Sequence, residues 1–181
     1  QRNTREQNKQ IKEGERPDGF EKGSPKGAQK DCDARWTKKN NETHFGYKNH
    51  AKVDAKSKLI DSYTTTAASV HDSQIFEELL DEKDKAILSD SAYKSQANEE
   101  VLLKHNLEDF TMLKANRNSP LSDNDKIYNK KVSRIRVRVE HVFGRMKYMA
   151  ADIFRRIGLQ RASQHNALCN LTYNMDRYAF L

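Results

Sequence analysis

From Phe45 onward the chain alternates between segments with a two-residue hydrophobic period and segments with a helical one. That alternation restricts the fold more than any other feature. "FGYKNHAKVD" sets Tyr47, Asn49, Ala51 and Val53 against polar neighbours, "AKSK" supplies a turn, and "LIDSYTTT" resumes with Leu59, Tyr63 and β-branched threonines. Two such runs predict a β-hairpin. "SVHDSQIFEELLDE" opens with Ser69-x-x-Asp72, an acidic variant of the capping box, and puts Ile75, Phe76, Leu79 and Leu80 on one helical face. "AILSD" predicts a short buried strand ending in Asp90, "SQANEEVLLKHN" a helix with Val101, Leu102 and Leu103 inward, and "FTMLKAN" another strand. A polar loop around Pro120 leads into one long helix from about Lys126 to Tyr148, with further helical segments up to Leu181. The resulting order predicts an α/β fold, a mixed sheet covered by helices.

Residues 1–44 differ in character. They hold four of the seven glycines (Gly14, Gly19, Gly23, Gly27) and two of the three prolines (Pro17, Pro25), with few apolar residues. This reads as a polar arm or insertion without a core of its own, ahead of an α/β body over 45–149 and a helical segment over 150–181 packed on it. Within the arm, "DARWTKKN" places Trp36 beside Arg35, Lys38 and Lys39. An aromatic among cations suits a DNA contact; equally, Trp36 could pin the arm to the body. The two cysteines, Cys32 and Cys169, have neither metal-like spacing nor a disulfide framework, and no apolar run spans a bilayer or forms a signal peptide. A reducing, cytoplasmic setting is the expectation.

Charge is placed unevenly. Between Lys126 and Arg161 stand eleven Lys/Arg and two acids, Glu140 and Asp152, which leaves +9 there and −2 elsewhere in a chain of net +7. A local basic block is the footprint of a polyanion binder, because each cation set on a phosphate releases condensed counterions. On a helical wheel Ile135, Val139, Val142, Phe143, Met146 and Met149 form an apolar stripe, with Arg134, Arg138 and Arg145 on its outer side. Arg136, Glu140 and Lys147 fall together along the other edge. Glu140 then has two readings: an i, i+4 ion pair with Arg136, or a metal ligand. Asp90 also has two: the N-cap of a following helix, or a reactive carboxylate beyond a strand's carboxyl end. Should the two converge, they supply half of a hard-cation site, and paired Mg²⁺ ions suit phosphoryl displacement.

Several blocks in order, "DARWTKKNNETHFGYKNHAKVDAKSKLI", "TTTAASVHDSQIFEELL", "ILSDSAYKS", "RVRVEHVFGRMK" and "NLTYNMDRYAFL", resemble bacterial insertion-sequence transposases of the DDE class, in the group related to insertion sequence five. The resemblance implies an RNase H-like fold, two catalytic Asp and one Glu holding two Mg²⁺ (or Mn²⁺), and action on transposon terminal inverted repeats and target DNA, with homo-oligomers on the transposon ends. It makes Asp90 the second aspartate and Glu140 the glutamate. Of the signature Y-x2-R-x3-E-x6-K, Arg136, Glu140 and Lys147 match, while Ser133 stands at the tyrosine position. Tyr93 and Lys94 become candidate DNA contacts, as do Arg136, Arg138, Arg145 and Lys147, and Arg155 and Arg156 extend the basic surface. His71 and His141 are expected to be structural or DNA-facing, since such sites use oxygen ligands.

The first aspartate of the family lies on a front strand that precedes the arm. Asp31 and Asp33 sit in the arm, Asp54 in a hairpin turn and Asp72 at a helix start, so none replaces it. The expectation is therefore an N-terminally truncated transposase that lacks that strand and the DNA-recognition region, binds DNA weakly and does not turn over. Two alternatives compete: a non-catalytic DNA-binding remnant, and an RNase H-like nuclease or resolvase.

Overall fold

The two runs flanking "AKSK" do pair. In the computed structural model, which describes residues 2–39, 41–115 and 120–181, β2 (Glu42–Val53) and β3 (Ile60–Ala67) form an antiparallel hairpin from Tyr47 opposite Ala67 to Val53 opposite Ile60. The turn is closed by Asp54, whose carboxylate accepts from the Ser57 amide and hydroxyl. Alternation along β2 sends Tyr47, Asn49, Ala51 and Val53 to one face. There Ala51 and Val53 pack on a core of Ile60, Val142, Met146 and Tyr173. Lys48, His50 and Lys52 take the opposite face.

The polar arm carries more structure than its composition suggested. Helix α1 (Arg5–Lys12) begins with a capping box between Thr4 and Gln7. Strand β1 (Arg35–Lys39) pairs antiparallel with Glu42–Gly46, so β2 begins before the expected Phe45. Two aspartates dock this segment. Asp31 is buried, accepts the Tyr47 hydroxyl at 2.7 Å, and also accepts the amides of Asp33, Ala34 and Gly158. Asp33 accepts the amide of Leu159. Gly158 is the N-cap of helix α4 (Leu159–Tyr178) and has φ +95°, without a side chain to cap with. The two carboxylates thus satisfy amides at the start of a helix more than 120 residues away in sequence, where the helix dipole also favours negative charge.

Helix α3 (Asp123–Tyr148) matches the expected long helix and starts with a capping box, Ser122 with Asp125. Its first half lies along the segment 111–113, where Asn129 bonds both the amide and the carbonyl of Leu113 and Tyr128 reaches the Thr111 carbonyl. Its second half packs Val142 and Met146 into the core. Helix α4 docks on the hairpin largely through polar side chains. Asn166 bonds Thr65, Asn170 pairs with Asn49, and Asn174 bonds both the amide and the carbonyl of Ile60 at 2.8 Å. Tyr173 and Arg177 donate to the carbonyls of Lys58 and Ser57 in the turn.

Several expectations need correction. The helix expected over "SVHDSQIFEELLDE" is instead two short 3-10 turns, Asp72–Ile75 and Glu77–Leu79, with only Phe76 buried. Ser69 and Asp72 form no capping box: His71 is the N-cap, and the Asp72 carboxylate turns to Lys48 at 3.0 Å. Strand β4 is short (Ala86–Ile87) and pairs in parallel with β5 (Glu108–Asp109). Amides of Phe110 and Met112 to the carbonyls of Ile87 and Ser89 carry the pairing further. This pair remains a sheet separate from β1–β2–β3, so the described residues hold an antiparallel and a parallel sheet and not one mixed sheet. On α2 (Gln96–Lys104) Leu102 is buried but Leu103 is 79% exposed, as successive residues stand about 100° apart on a helix and cannot all point inward. Ile135 and Phe143 remain about two-fifths exposed, because the apolar stripe of α3 is longer than the surface that covers it. Asn116, at the end of "FTMLKAN", and the start of the loop before Pro120 lie outside the described residues, as does Asn40 of "DARWTKKN".

Candidate functional site

Asp90 follows β4 by three residues, on extended backbone at the N-cap position of the turn Ser91–Tyr93, yet its carboxylate makes no capping bond there. It accepts from the Ser91 hydroxyl and faces the Arg136 guanidinium at 3.7 Å. Arg136 also reaches the Met112 sulfur. The ion pair that spacing offered, Arg136 with Glu140, is therefore replaced by Arg136 with Asp90. Glu140 is exposed and, among the described residues, has no ion-pair partner. It stands one turn beyond Arg136, about 6 Å further along the same flank of α3. The fold thus brings Asp90 to the edge of α3 that carries the glutamate.

Tyr93 belongs to this neighbourhood. Its ring packs on Phe76 with centroids 5.7 Å apart. Burial, followed by the negative charges of Asp72 and Asp90, pushes its hydroxyl up to about 12. Sequence reasoning missed the polar layer beside it. His50 is buried, bonds the Thr66 hydroxyl at 2.7 Å and lies 3.5 Å from Asp72, which also binds Lys48. Burial lowers the His50 pKa, against the pull of Asp72. Lys52 bridges Asp61 and Asp84. The signal was present in the alternation Lys48, His50, Lys52, which only a strand places on one face.

The remaining candidates are dispersed. Arg145 makes a two-pronged bond to Asp176 of α4, at 2.9 and 2.7 Å, and lies over the Tyr148 ring. Arg138 donates to the Ala55 carbonyl in the hairpin turn, and Lys94 pairs with Glu99. Lys147 is exposed and, among the described residues, unpaired, as is Arg134. In the β1 group, Trp36 donates to the Asn3 carbonyl and packs on Phe45, while Arg35 folds back on the carbonyls of Cys32 and Ala34. Trp36 thus holds α1 to the sheet, and only Lys38 and Lys39 of that group are exposed. His71 caps a turn, and His141 lies 3.5 Å from Lys58.

Two carboxylates are the right donor chemistry for a hard cation but too few to cage one. Among the described residues no group of three or more His, Cys, Asp or Glu could hold a metal ion. Cys32 and Cys169 are unbridged. No helix of the described residues is long and apolar enough to cross a membrane.

Comparison with known proteins identifies the family. No solved structure matches. The chain is 34% identical over 146 residues to the transposase for insertion sequence element IS1106 of Neisseria meningitidis serogroup B, across 77% of this chain and 50% of that protein. It spans about half the length of the curated relative it matches. The family described as "Transposase DDE domain" matches residues 19–175, which takes in the docked aspartates of the arm, both sheets, Asp90 and the flank of α3 that bears Glu140. The chain belongs to the transposase DDE domain family.

Proposed function

We propose that this chain is part of the catalytic domain of an insertion-sequence transposase of the group related to insertion sequence five, which cuts and joins DNA strands. One observation supports this beyond family membership: Asp90 meets Arg136 on the flank of α3, one turn from an unpaired Glu140. In this reading Asp90 and Glu140 are two of three carboxylate ligands for Mg²⁺ or Mn²⁺, which would supply Lewis-acid activation of a phosphodiester when bound. The third ligand is assigned to the RNase H-like front strand of the family, outside the described residues. The residues on hand then have definite tasks. Arg136 balances Asp90 while no DNA is present, and the unpaired Lys147 and Arg134 are placed to take phosphates. Terminal inverted repeats and target DNA are the proposed partners, in the cytoplasm.

The test is transposition in cells from the complete coding frame of the element. Asp90→Asn and Glu140→Gln should each abolish it while leaving DNA binding in gel-shift assays. Persisting transposition in Glu140→Gln would refute the ligand assignment. A DNA-binding remnant is favoured if the intact frame is also inactive, and a nuclease if hydrolysis occurs without strand transfer. The 181-residue chain by itself is expected to bind DNA weakly, without sequence preference and without turnover.

A further inference from the structure

The Asp90 carboxylate is held only loosely by its own contacts. Its side chain is half-exposed, with the Ser91 hydroxyl at 3.3 Å and the Arg136 guanidinium at 3.7 Å. What places it is the backbone on either side. Upstream, the buried Ser89 hydroxyl bonds that of Thr111 at 2.7 Å, and the Ser89 carbonyl accepts the Met112 amide. Downstream, the anchors converge on Tyr93. Its amide donates to the Asp90 carbonyl at 2.9 Å and closes the turn. Its carbonyl accepts from the side chain of Asn98, which is buried in the first turn of α2. Its ring packs on the buried Phe76. Phe76 follows the turn that holds Asp72, and Asp72 is tied to Lys48 and lies beside His50 on β2. The Tyr93 ring therefore links Asp90 to the hairpin sheet, with which β4 and β5 share no strand pairing.

We propose that Tyr93 is a positioning residue, which fixes the backbone at Asp90, and through it the direction of the carboxylate, and does not itself contact DNA. The proposal rests on the reading of Asp90 as a metal ligand. A carboxylate with few and long bonds takes its place from its anchors, and with Tyr93 cut back Asp90 keeps only the upstream one. Groups that orient a ligand from behind in this way are worth about 10–100-fold in metal affinity. A base-stacking platform, by contrast, needs a ring free to receive a base. The Tyr93 ring is half-buried on Phe76, and both of its main-chain groups are bonded, so the residue is committed to the turn. Its exposed neighbour Lys94 turns away to Glu99.

The test uses protein purified from the complete coding frame, cutting DNA that carries the terminal repeat of the element. Tyr93→Leu should raise the Mn²⁺ concentration for half-maximal cleavage at least about tenfold, with gel-shift affinity for that DNA unchanged. Asn98→Ala, which frees the Tyr93 carbonyl, should raise it too, and Tyr93→Phe, which keeps the ring, should restore it. A mere loss of fold would reduce the amount of active protein and leave the Mn²⁺ requirement where it was. A second readout needs neither metal nor activity. In the 181-residue chain, Tyr93→Leu should speed hydrogen exchange at the amides of residues 93 and 94, while those of Phe110 and Met112, bonded to Ile87 and Ser89, keep their rates. An unchanged Mn²⁺ requirement, a loss of DNA affinity in Tyr93→Leu, or unaltered exchange at 93 and 94 would each overturn the proposal. If Asp90→Asn cleaves as well as the wild type, the ligand reading itself falls; if Asp90→Asn is inactive while Tyr93→Leu matches the wild type, only the positioning role does.

Discussion

Replacing Asp31 should unfasten the arm and the start of α4 together. The carboxylate is buried and serves the Tyr47 hydroxyl and three amides, those of Asp33, Ala34 and Gly158. Hydrogen bonds to an ionised group contribute about 1.5–3 kcal/mol each, and stranded buried donors cost about 1–3 kcal/mol, with incomplete additivity where water can enter. Asp31→Ala should therefore lower stability by about 3–5 kcal/mol. For a chain of this size that is a fall of about 6–20 °C in Tm. Asp31→Asn retains one acceptor and should lose about half as much, and Tyr47→Phe, which removes a single donor, about 1–2 kcal/mol. Urea unfolding followed by circular dichroism measures all three, and an unchanged m-value would show that the denatured state is not responsible. A loss below about 0.5 kcal/mol for Asp31→Ala, the range of ordinary surface changes, would refute the docking argument.

Three other outcomes are expected. Burial and the Asp31 carboxylate raise the Tyr47 pKa above its ordinary value of 10.0, so the folded state holds that proton more tightly. The associated stability is fully present below pH 10 and is lost as pH rises from there through the folded value; Tyr47→Phe should flatten that decline in a pH series of urea midpoints. Asn174→Leu strands the amide and carbonyl of Ile60 and should cost about 2–4 kcal/mol by the same unfolding assay, whereas a neutral result would mean that water takes over both groups. Lys147→Ala should weaken gel-shift binding uniformly across DNA sequences and reduce the salt slope by about one, while a sequence-dependent loss would point to a base contact.

What could be read from the sequence was periodic and local. The α3 helix and the β2–β3 hairpin were legible because their side-chain periods survive any tertiary context, and Tyr47, Asn49, Ala51 and Val53 do share the inner face. The helix expected over "SVHDSQIFEELLDE" gives way where a distant strand outcompetes a local cap: Asp72 bonds Lys48, and the turn tightens to 3-10 geometry. Arg136 shows the same competition, since Asp90 arrives from another element and displaces the i, i+4 partner. Asp31 and Asp33 read as arm residues, because nothing in their neighbourhood announces a helix start at Gly158. The asparagines 166, 170 and 174 recur every four residues, but polar side chains on a helix read as solvent-facing, so their docking role stayed hidden. For the candidate site, sequence put Asp90 at the close of a strand and Glu140 at the margin of a helix; the proximity of Asp90 to that margin required the fold.

The manner in which α4 is attached also shapes how the molecule fluctuates. Its amide side chains bond the hairpin, while Tyr173 and Cys169 on the same side pack with Ile60, Val142 and Met146, so raising the helix opens the core as well as the polar contacts. Lifting the helix therefore amounts to opening the core, an event close to global unfolding. Cys169, half-buried against the core on the underside of that helix, is its natural clock. The thiol should react slowly with alkylating reagents at a rate set by the lifting of α4, while the exposed Cys32 reacts at once.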